Sequence, residues 1–304
     1  MYNKSSNRYY KTANSYFKER FGFKVYKLAL DGGMTCPNRD GTLGTRGCIF
    51  CSSGGSGDFA QKQCGDIKLQ LAQAKARLSG KKHGEHFIAY FQSFTNTYAS
   101  VEVLRELFVP VINEPSIVGL SIATRPDCLP PDVLALIKEL NQIKPVFVEL
   151  GLQTIHQKTA DFIRRGYELS VYDKAVKNLH KIGVHIITHM ILGLPGEDSS
   201  MMQETAKHIG EVGSHGVKLQ LLHILKGTDL ETYYQDVKFT VLSKSSYIDI
   251  LCNCVLCLPN GTVLHRITGD APKSLLVEPK WSADKKRVLQ EIKEAFSNRG
   301  IILE

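Results

Sequence analysis

The chain has 304 residues, 43% of them hydrophobic, enough to bury a large core as one big domain or as a barrel with an appendage. Its first twenty residues lack an apolar signal core, and no run approaches the ~18 apolar residues of a membrane helix, so a soluble, cytoplasmic protein is expected, with no membrane partner. A basic surplus (38 Lys and Arg against 30 Asp and Glu, formal charge +8) favours an anionic partner such as RNA, DNA or a phosphorylated metabolite.

Residues 1–22 form a basic, aromatic segment. NRYYKTANSYFKERFGFKVYK (7–27) interleaves rings with Lys and Arg, a pattern that suits base stacking with phosphate pairing. It equally suits an amphipathic helix that packs Tyr10, Phe17 and Phe21 on the body of the protein. Six short apolar runs follow, at 23–30, 86–91, 117–123, 146–152, 184–192 and 217–225, and their near-continuous apolar character suits strands buried on both faces. Helical spacing lies between them at 67–78, 101–112, 130–141 and 170–183, with Pro130 and Pro131 at a helix start, Ser170 as an N-cap and Gly183 as a stop. Lys81, Lys82, His83 and His86 read as a polar loop. Alternating strands and helices over 23–226 predict an α/β fold, an incomplete (β/α)6 TIM-like barrel, because a full eightfold barrel takes about 250 residues. Residues 227–304 then form a small C-terminal extension. It holds a polar stretch to 245, an apolar helix or strand at 247–258, a strand at 261–268 and a charged helix at 283–297, and it is expected to close the open side.

Eight cysteines in a cytoplasmic chain point to metal chemistry rather than disulfides. Cys36, Cys48 and Cys51 sit in DGGMTCPNRDGTLGTRGCIFCSSGGSGDF (31–59), a glycine-rich loop after the first barrel strand. Three soft thiolates on one loop suit a cluster with one iron left open, whereas a structural zinc would have to recruit a fourth ligand such as Cys64. Cys252, Cys254 and Cys257 lie in an apolar run where cysteine acts as a small hydrophobe, and Cys64 and Cys128 read as packing or incidental thiols. His180, His185, His208, His215 and His223 are too scattered to make a metal site by spacing. His265, Arg266 and Asp270 stand near a turn, for substrate contact or for closing the barrel.

The stretches TCPNRDGTLGTRGCIFC (35–51), YFQSFTNTY (90–98), SIATRPDCLP (121–130), VELGLQT (148–154) and HMILGLPGE (189–197) resemble radical-SAM enzymes, in particular the bacterial group related to the Elongator catalytic subunit (the YhcC/MnmL type). Eleven residues separate the first two cysteines, a gap typical of that branch, and the acetyltransferase-like domain of the Elongator subunit has no counterpart here. The resemblance implies a [4Fe-4S] cluster on Cys36, Cys48 and Cys51 that binds S-adenosylmethionine at its open iron and generates a 5′-deoxyadenosyl radical. It also implies cofactor contacts at the ends of successive strands. Gln92, Ser93, Thr95 and Asn96 would face the methionine amino group, and Thr124 and Arg125 follow the next strand without the acidic ribose contact of similar enzymes. Gln153 would contact the ribose and Arg165 the methionine carboxylate, with Arg164 competing for that role. His189, Gly193 and Leu194 of the next segment would meet the adenine, with Gly196 allowing close approach. The implied substrate is tRNA at a 5-substituted wobble uridine, with trimming of carboxymethylaminomethyl to aminomethyl as one such reaction and flavodoxin or ferredoxin as electron donor. The alternatives are radical chemistry on a small metabolite or protein, and a non-catalytic protein that binds RNA and uses the three cysteines for zinc or a redox-sensing cluster.

Overall fold

In the computed structural model, which describes residues 7–55, 57–78 and 85–304, the chain begins with strand β1 (Arg8–Thr12) and helix α1 (Ala13–Phe21). Residues 1–6 of the basic segment, and Lys81, Lys82 and His83 of the expected polar loop, lie outside the described residues. β2 (Tyr26–Leu30) leads through the cysteine loop to α2 (Ile67–Ala76). Three strand–helix units follow: β3 (Phe87–Phe91) with α3 (Val101–Ile112), β4 (Ile117–Thr124) with α4 (Pro131–Ile143), and β5 (Val146–Gln153) with α5 (Gln157–Phe162) and α6 (Leu169–Lys181). β6 (His185–Leu192), α7 (Ser199–Glu211) and β7 (Gly216–Leu221) complete the alternation. Beyond it lie β8 (Ile224–Leu225), α8 (Asp229–Val237), α9 (Lys244–Cys257), β9 (Val263–Arg266), β10 (Leu276–Glu278), α10 (Lys285–Asn298) and β11 (Ile301–Leu303).

Local chemistry sets these boundaries. Every residue of β3 is buried, as a strand covered on both faces requires. Pro131 occupies the first turn of α4, where a missing N–H costs nothing. The Asp198 carboxylate accepts from the Met201 amide and caps α7. Ser170 is not the cap of α6; that place falls to Glu168, one residue before the helix begins at Leu169.

The strands form one parallel sheet in the order β11-β1-β9-β7-β6-β5-β4-β3-β2, and β8 and β10 pair separately and antiparallel. β2 to β7 are thus the expected six-strand arc of an α/β radical-SAM fold. The C-terminal extension continues the sheet from β7 through β9 and β11, and β1 inserts between those two. Residues 8–12 of the aromatic segment are therefore part of the sheet, and Tyr10 and Phe17 pack into the core. Tyr10 is fully buried and its hydroxyl donates to the Val255 carbonyl at 2.7 Å. Phe17 joins Val25, Ile88, Phe147 and Ile187 in an apolar cluster near the amino ends of the strands, so α1 plugs that mouth. Among the described residues no helix is long and apolar enough to cross a membrane.

Candidate active site

The loop after β2 is shaped by its own backbone. The Arg39 amide donates to the Cys36 carbonyl (2.7 Å), Gly47 to Asn38 (2.7 Å) and Cys51 to Cys48 (3.0 Å), which folds the eleven-residue gap into successive turns. Gly47 is required there: its φ of 73° is left-handed, and a Cβ would stand 2.8 Å from the Arg39 side chain. Asn38 pegs the loop to the body. Its buried amide donates to the Arg164 carbonyl at 2.7 Å and lies 3.4 Å from Cys48 Sγ. The Ile49 amide donates to Ile163, and the Leu230 amide of α8 to Ile49.

These contacts set Cys36, Cys48 and Cys51 on the wall of one cavity of about 250 Å³ at the carboxyl ends of the barrel strands. Gln92, Thr95, Gln153, Arg165 and His189 share that wall. Gln153 has a left-handed φ of 69° at a register shift between β5 and β6, and its buried Oε1 has no partner. Thr124 and Arg125 line the same space, with Arg125 held by both Asp127 oxygens at 2.9 and 2.7 Å. Burial alone would lower that guanidinium's pKa; the Asp127 bonds overcome it and raise it.

Ser93, Asn96, Gly193, Leu194 and Gly196 stand off the cavity wall. Asn96 is fully buried behind it, its amide donating to the Ala123 carbonyl at 3.0 Å. Leu194 packs with Ile49, Ile191 and Leu222 in a satellite apolar cluster, and a Cβ on the adjacent Gly193 would meet Leu242. Arg165 is on the wall but turned inward. α5 ends at Phe162, and Arg164 has a left-handed φ of 58°. The buried Arg165 fork donates to the carbonyls of Tyr167 (2.8 and 3.0 Å), Thr154 (2.5 Å) and Leu152 (3.3 Å), and to Gln157 Oε1 (3.4 Å). All five of its donors are thus directed at the chain itself. Arg164 pairs with Asp229 at 2.6 Å.

Sequence reasoning missed the cavity floor. Glu149, in the middle of β5, is fully buried. Its Oε1 accepts from Lys27 (2.8 Å) and Ser121 (2.6 Å), and its Oε2 faces His189 Nε2 (2.7 Å) and the Lys218 ammonium. Lys218 also donates to the Tyr90 hydroxyl at 3.0 Å. Burial alone would raise the Glu149 pKa, but Lys218 and Lys27 hold it well below the usual carboxylate range. Burial pulls the Lys218 amine down to about 7 and His189 to about 4, against the pull of Glu149 on both. The direction at Glu149 is the firmer of the pair, because two ammonium groups and a hydroxyl converge on it while Lys218 meets a single carboxylate. The available signal was a charge inside an otherwise apolar strand: Glu in VFVELGL and Lys in VKLQL.

The second cysteine group lies elsewhere. Cys252 and Cys254 are fully buried on α9 in the main core, with Cys257 packed against it. Tertiary structure also gathers histidines that spacing had left scattered: His185 stacks on His215 at 4.8 Å, with His180 and His265 nearby. Among the described residues, no three His, Cys, Asp or Glu side chains meet around a single-ion site.

Residues 41–209 match the model of the radical SAM superfamily, and residues 214–298 that of the Radical_SAM C-terminal domain. The chain belongs to the radical-SAM superfamily. Protein YtqA of Bacillus subtilis (strain 168) is 46% identical over 299 residues, 98% of this chain and 92% of that one. Protein YhcC of Escherichia coli (strain K12) is 36% identical over 283 residues, 93% of this chain and 90% of that one. A tRNA uridine(34) acetyltransferase of Methanocaldococcus jannaschii is 28% identical over 167 residues, 53% of this chain and 30% of the longer protein. The solved structure of archaeal Elp3 from Methanocaldococcus infernus with residues 1–46 deleted superposes with a TM-score of 0.68 at 19% identity, covering 91% of this chain and 64% of that one. This is therefore a radical-SAM enzyme related to the Elongator catalytic subunit, of a family that uses a [4Fe-4S] cluster and S-adenosylmethionine.

The residues present suit those groups. A cubane takes each thiolate on a different iron, so its three cysteines need not converge as they would on a single ion. Burial, reinforced by Cys51, pushes the Cys48 thiol up to about 11, so an iron that binds the thiolate would supply what holds it ionised. The unpartnered Gln153 Oε1 is a waiting acceptor on the same wall.

Proposed function

We propose that this radical-SAM enzyme modifies a 5-substituted wobble uridine of tRNA in the cytoplasm, trimming carboxymethylaminomethyl to aminomethyl. Water adds as the C–N bond to the carboxymethyl group breaks, the two-carbon unit leaves as glyoxylate, and the two electrons it gives up convert S-adenosylmethionine to methionine and 5′-deoxyadenosine. The observation that carries the reading is the shared cavity: three loop thiols, polar strand ends and a charged floor face one space. The match to a tRNA uridine(34) acetyltransferase and the +8 charge support RNA as the partner. When bound, the cluster supplies the electron that splits S-adenosylmethionine into methionine and a 5′-deoxyadenosyl radical able to take hydrogen from a substrate.

In this reading Cys36, Cys48 and Cys51 hold the cluster, and Asn38 fixes the loop that carries them. Gln92 and Thr95 orient the methionine end of S-adenosylmethionine, and Gln153 takes a ribose hydroxyl on its free oxygen. Arg165, its donors spent on the carbonyls of residues 152, 154 and 167, acts by positioning the segment that presents Gln153. His189, neutral at pH 7, donates through Nε2 to Glu149 and keeps the floor in register. Arg46, 73% exposed on the cluster loop, offers a positive contact to an acidic electron donor of the flavodoxin or ferredoxin kind.

The test uses anaerobically reconstituted enzyme with reductant and S-adenosylmethionine. tRNA bearing the modified uridine is expected to drive 5′-deoxyadenosine formation above the uncoupled background and to change mass at that nucleotide, while the unmodified transcript does neither. Turnover driven by a small metabolite or protein, with both tRNAs inert, would discard the RNA reading and leave the enzyme class standing.

A further inference from the structure

The cations on the cavity wall are not alike. Arg125 is spent on Asp127, and Arg165 on backbone carbonyls. Arg39 donates to the Cys51 and Ser52 carbonyls at 3.1 and 2.7 Å. Arg266, the last residue of β9, differs. Among the described residues its one charge partner is Asp270 at 4.0 Å, beyond hydrogen-bond reach, and Asp270 is drawn instead to Lys285 at 3.0 Å. Beside Arg266, as its register partner on β7, stands Lys218, which spends one donor on Glu149 and one on Tyr90 and keeps a third.

The acceptor side of the floor is already full. Both oxygens of Glu149 are occupied by Lys27, Ser121, His189 and Lys218, so it has little left for a donor on a ligand. Lys27 and Lys218 thus flank one buried carboxylate, Arg266 lines the same cavity, and Asp270 is shared outward with Lys285. The surplus is cationic, and a second carboxylate would balance it. Burial pulls Lys218 down to about 7 despite Glu149, a deficit that a second anion would relieve. The cysteine loop leaves β2 and Lys218 and Arg266 stand on β7 and β9, and all of them line the one cavity, since the strands curve until Lys27 of β2 and Lys218 of β7 meet on Glu149.

We infer that Arg266 and Lys218 form a receptor for a carboxylate carried by the substrate, on the wall of the cavity that the cysteine loop also lines. The inference rests on the proposed wobble-uridine reading, in which the substituent to be trimmed carries a carboxylate and the product does not. The receptor would therefore select substrate over product.

Four anticodon stem-loops test it, identical except for the uridine substituent: carboxymethylaminomethyl, its carboxamide, aminomethyl, and none. Equilibrium binding to the intact holoenzyme is measured by fluorescence anisotropy, without turnover. The wild type is expected to prefer the carboxylate over the carboxamide on the order of tenfold or more, as a charge-assisted hydrogen bond provides. Arg266→Gln should erase that preference while binding the carboxamide stem-loop as the wild type does, and Arg266→Lys, which keeps the charge, should retain part of it. Iron content and circular dichroism check that each variant is folded. Equal wild-type affinity for carboxylate and carboxamide, or a preference that survives Arg266→Gln, overturns the receptor. If no modified stem-loop binds better than the unmodified one, the tRNA reading has failed, and the same comparison with the free modified nucleosides decides the receptor separately. A carboxylate preference that Arg266→Gln removes upholds it; no preference refutes it.

Discussion

Two stretches of this chain carry three cysteines each, and they differ in what the backbone does with them. Cys36, Cys48 and Cys51 lie on a loop folded by its own amides and pegged by Asn38, and all three reach one cavity wall. Cys252, Cys254 and Cys257 lie on α9. On a helix, residues two apart point to nearly opposite sides, so Cys252 and Cys254 diverge into different parts of the apolar packing. Close spacing of cysteines therefore says little until the element that carries them is known. A loop can bend three thiols toward one space, whereas this helix leaves Cys254 and Cys257 on one face and turns Cys252 away from Cys254.

The largest effect should separate the two groups outright. Cys51→Ala is expected to lose the iron and all S-adenosylmethionine cleavage, read as iron and sulfide per chain; a variant that keeps its full iron would break the contrast. Next comes a polar group held by charge rather than by either kind of cysteine packing. Glu149→Ala leaves Lys218 and Lys27 buried without their counter-ion and should cost about 3–5 kcal/mol in urea unfolding of the apo protein. The native Glu149 carboxyl is depressed, so its stabilisation is present above the unfolded value of about 4.3 and fades as pH falls through its lower native value. Glu149→Gln should flatten that acid limb, and an unchanged limb would show that the ion cluster adds no pH-dependent stability. Asn38→Ala should cost about 1–3 kcal/mol, because it removes the peg and leaves the Arg164 carbonyl only the weak Cys48 thiol contact at 3.6 Å. It should also lower iron retention after gel filtration without abolishing binding, which would sharpen the role of the loop. The smallest effect is expected from Cys254→Ala, about 1 kcal/mol for a small buried side chain, with iron content unchanged. Iron lost in Cys254→Ala but kept in Cys51→Ala would reverse the comparison.

Much of the architecture was legible because it rests on local regularities. Six apolar runs at strand length, with helical spacing between them, marked β2 to β7, and Gly183 with its left-handed φ of 69° marked the turn after α6. The cysteine loop was legible because glycine, proline and thiols crowd one short stretch. α7 and the short α5 gave weaker signals. The inward turn of Arg165 was not legible, because a left-handed residue at Arg164 is invisible to periodicity.

The sequence by itself determined an α/β parallel sheet, a loop bearing three cysteines after its first barrel strand, and the polar residues at the strand ends, since each follows from neighbours in the chain. Tertiary structure alone decided the rest. It placed β1 between β9 and β11, residues more than 250 positions away, turned Arg165 inward onto carbonyls, and set Glu149 among Lys27, Ser121, His189 and Lys218. Those contacts join residues from five different strands. Which cation meets which carboxylate depends on sheet order and register, and neither is written in the spacing of any one segment.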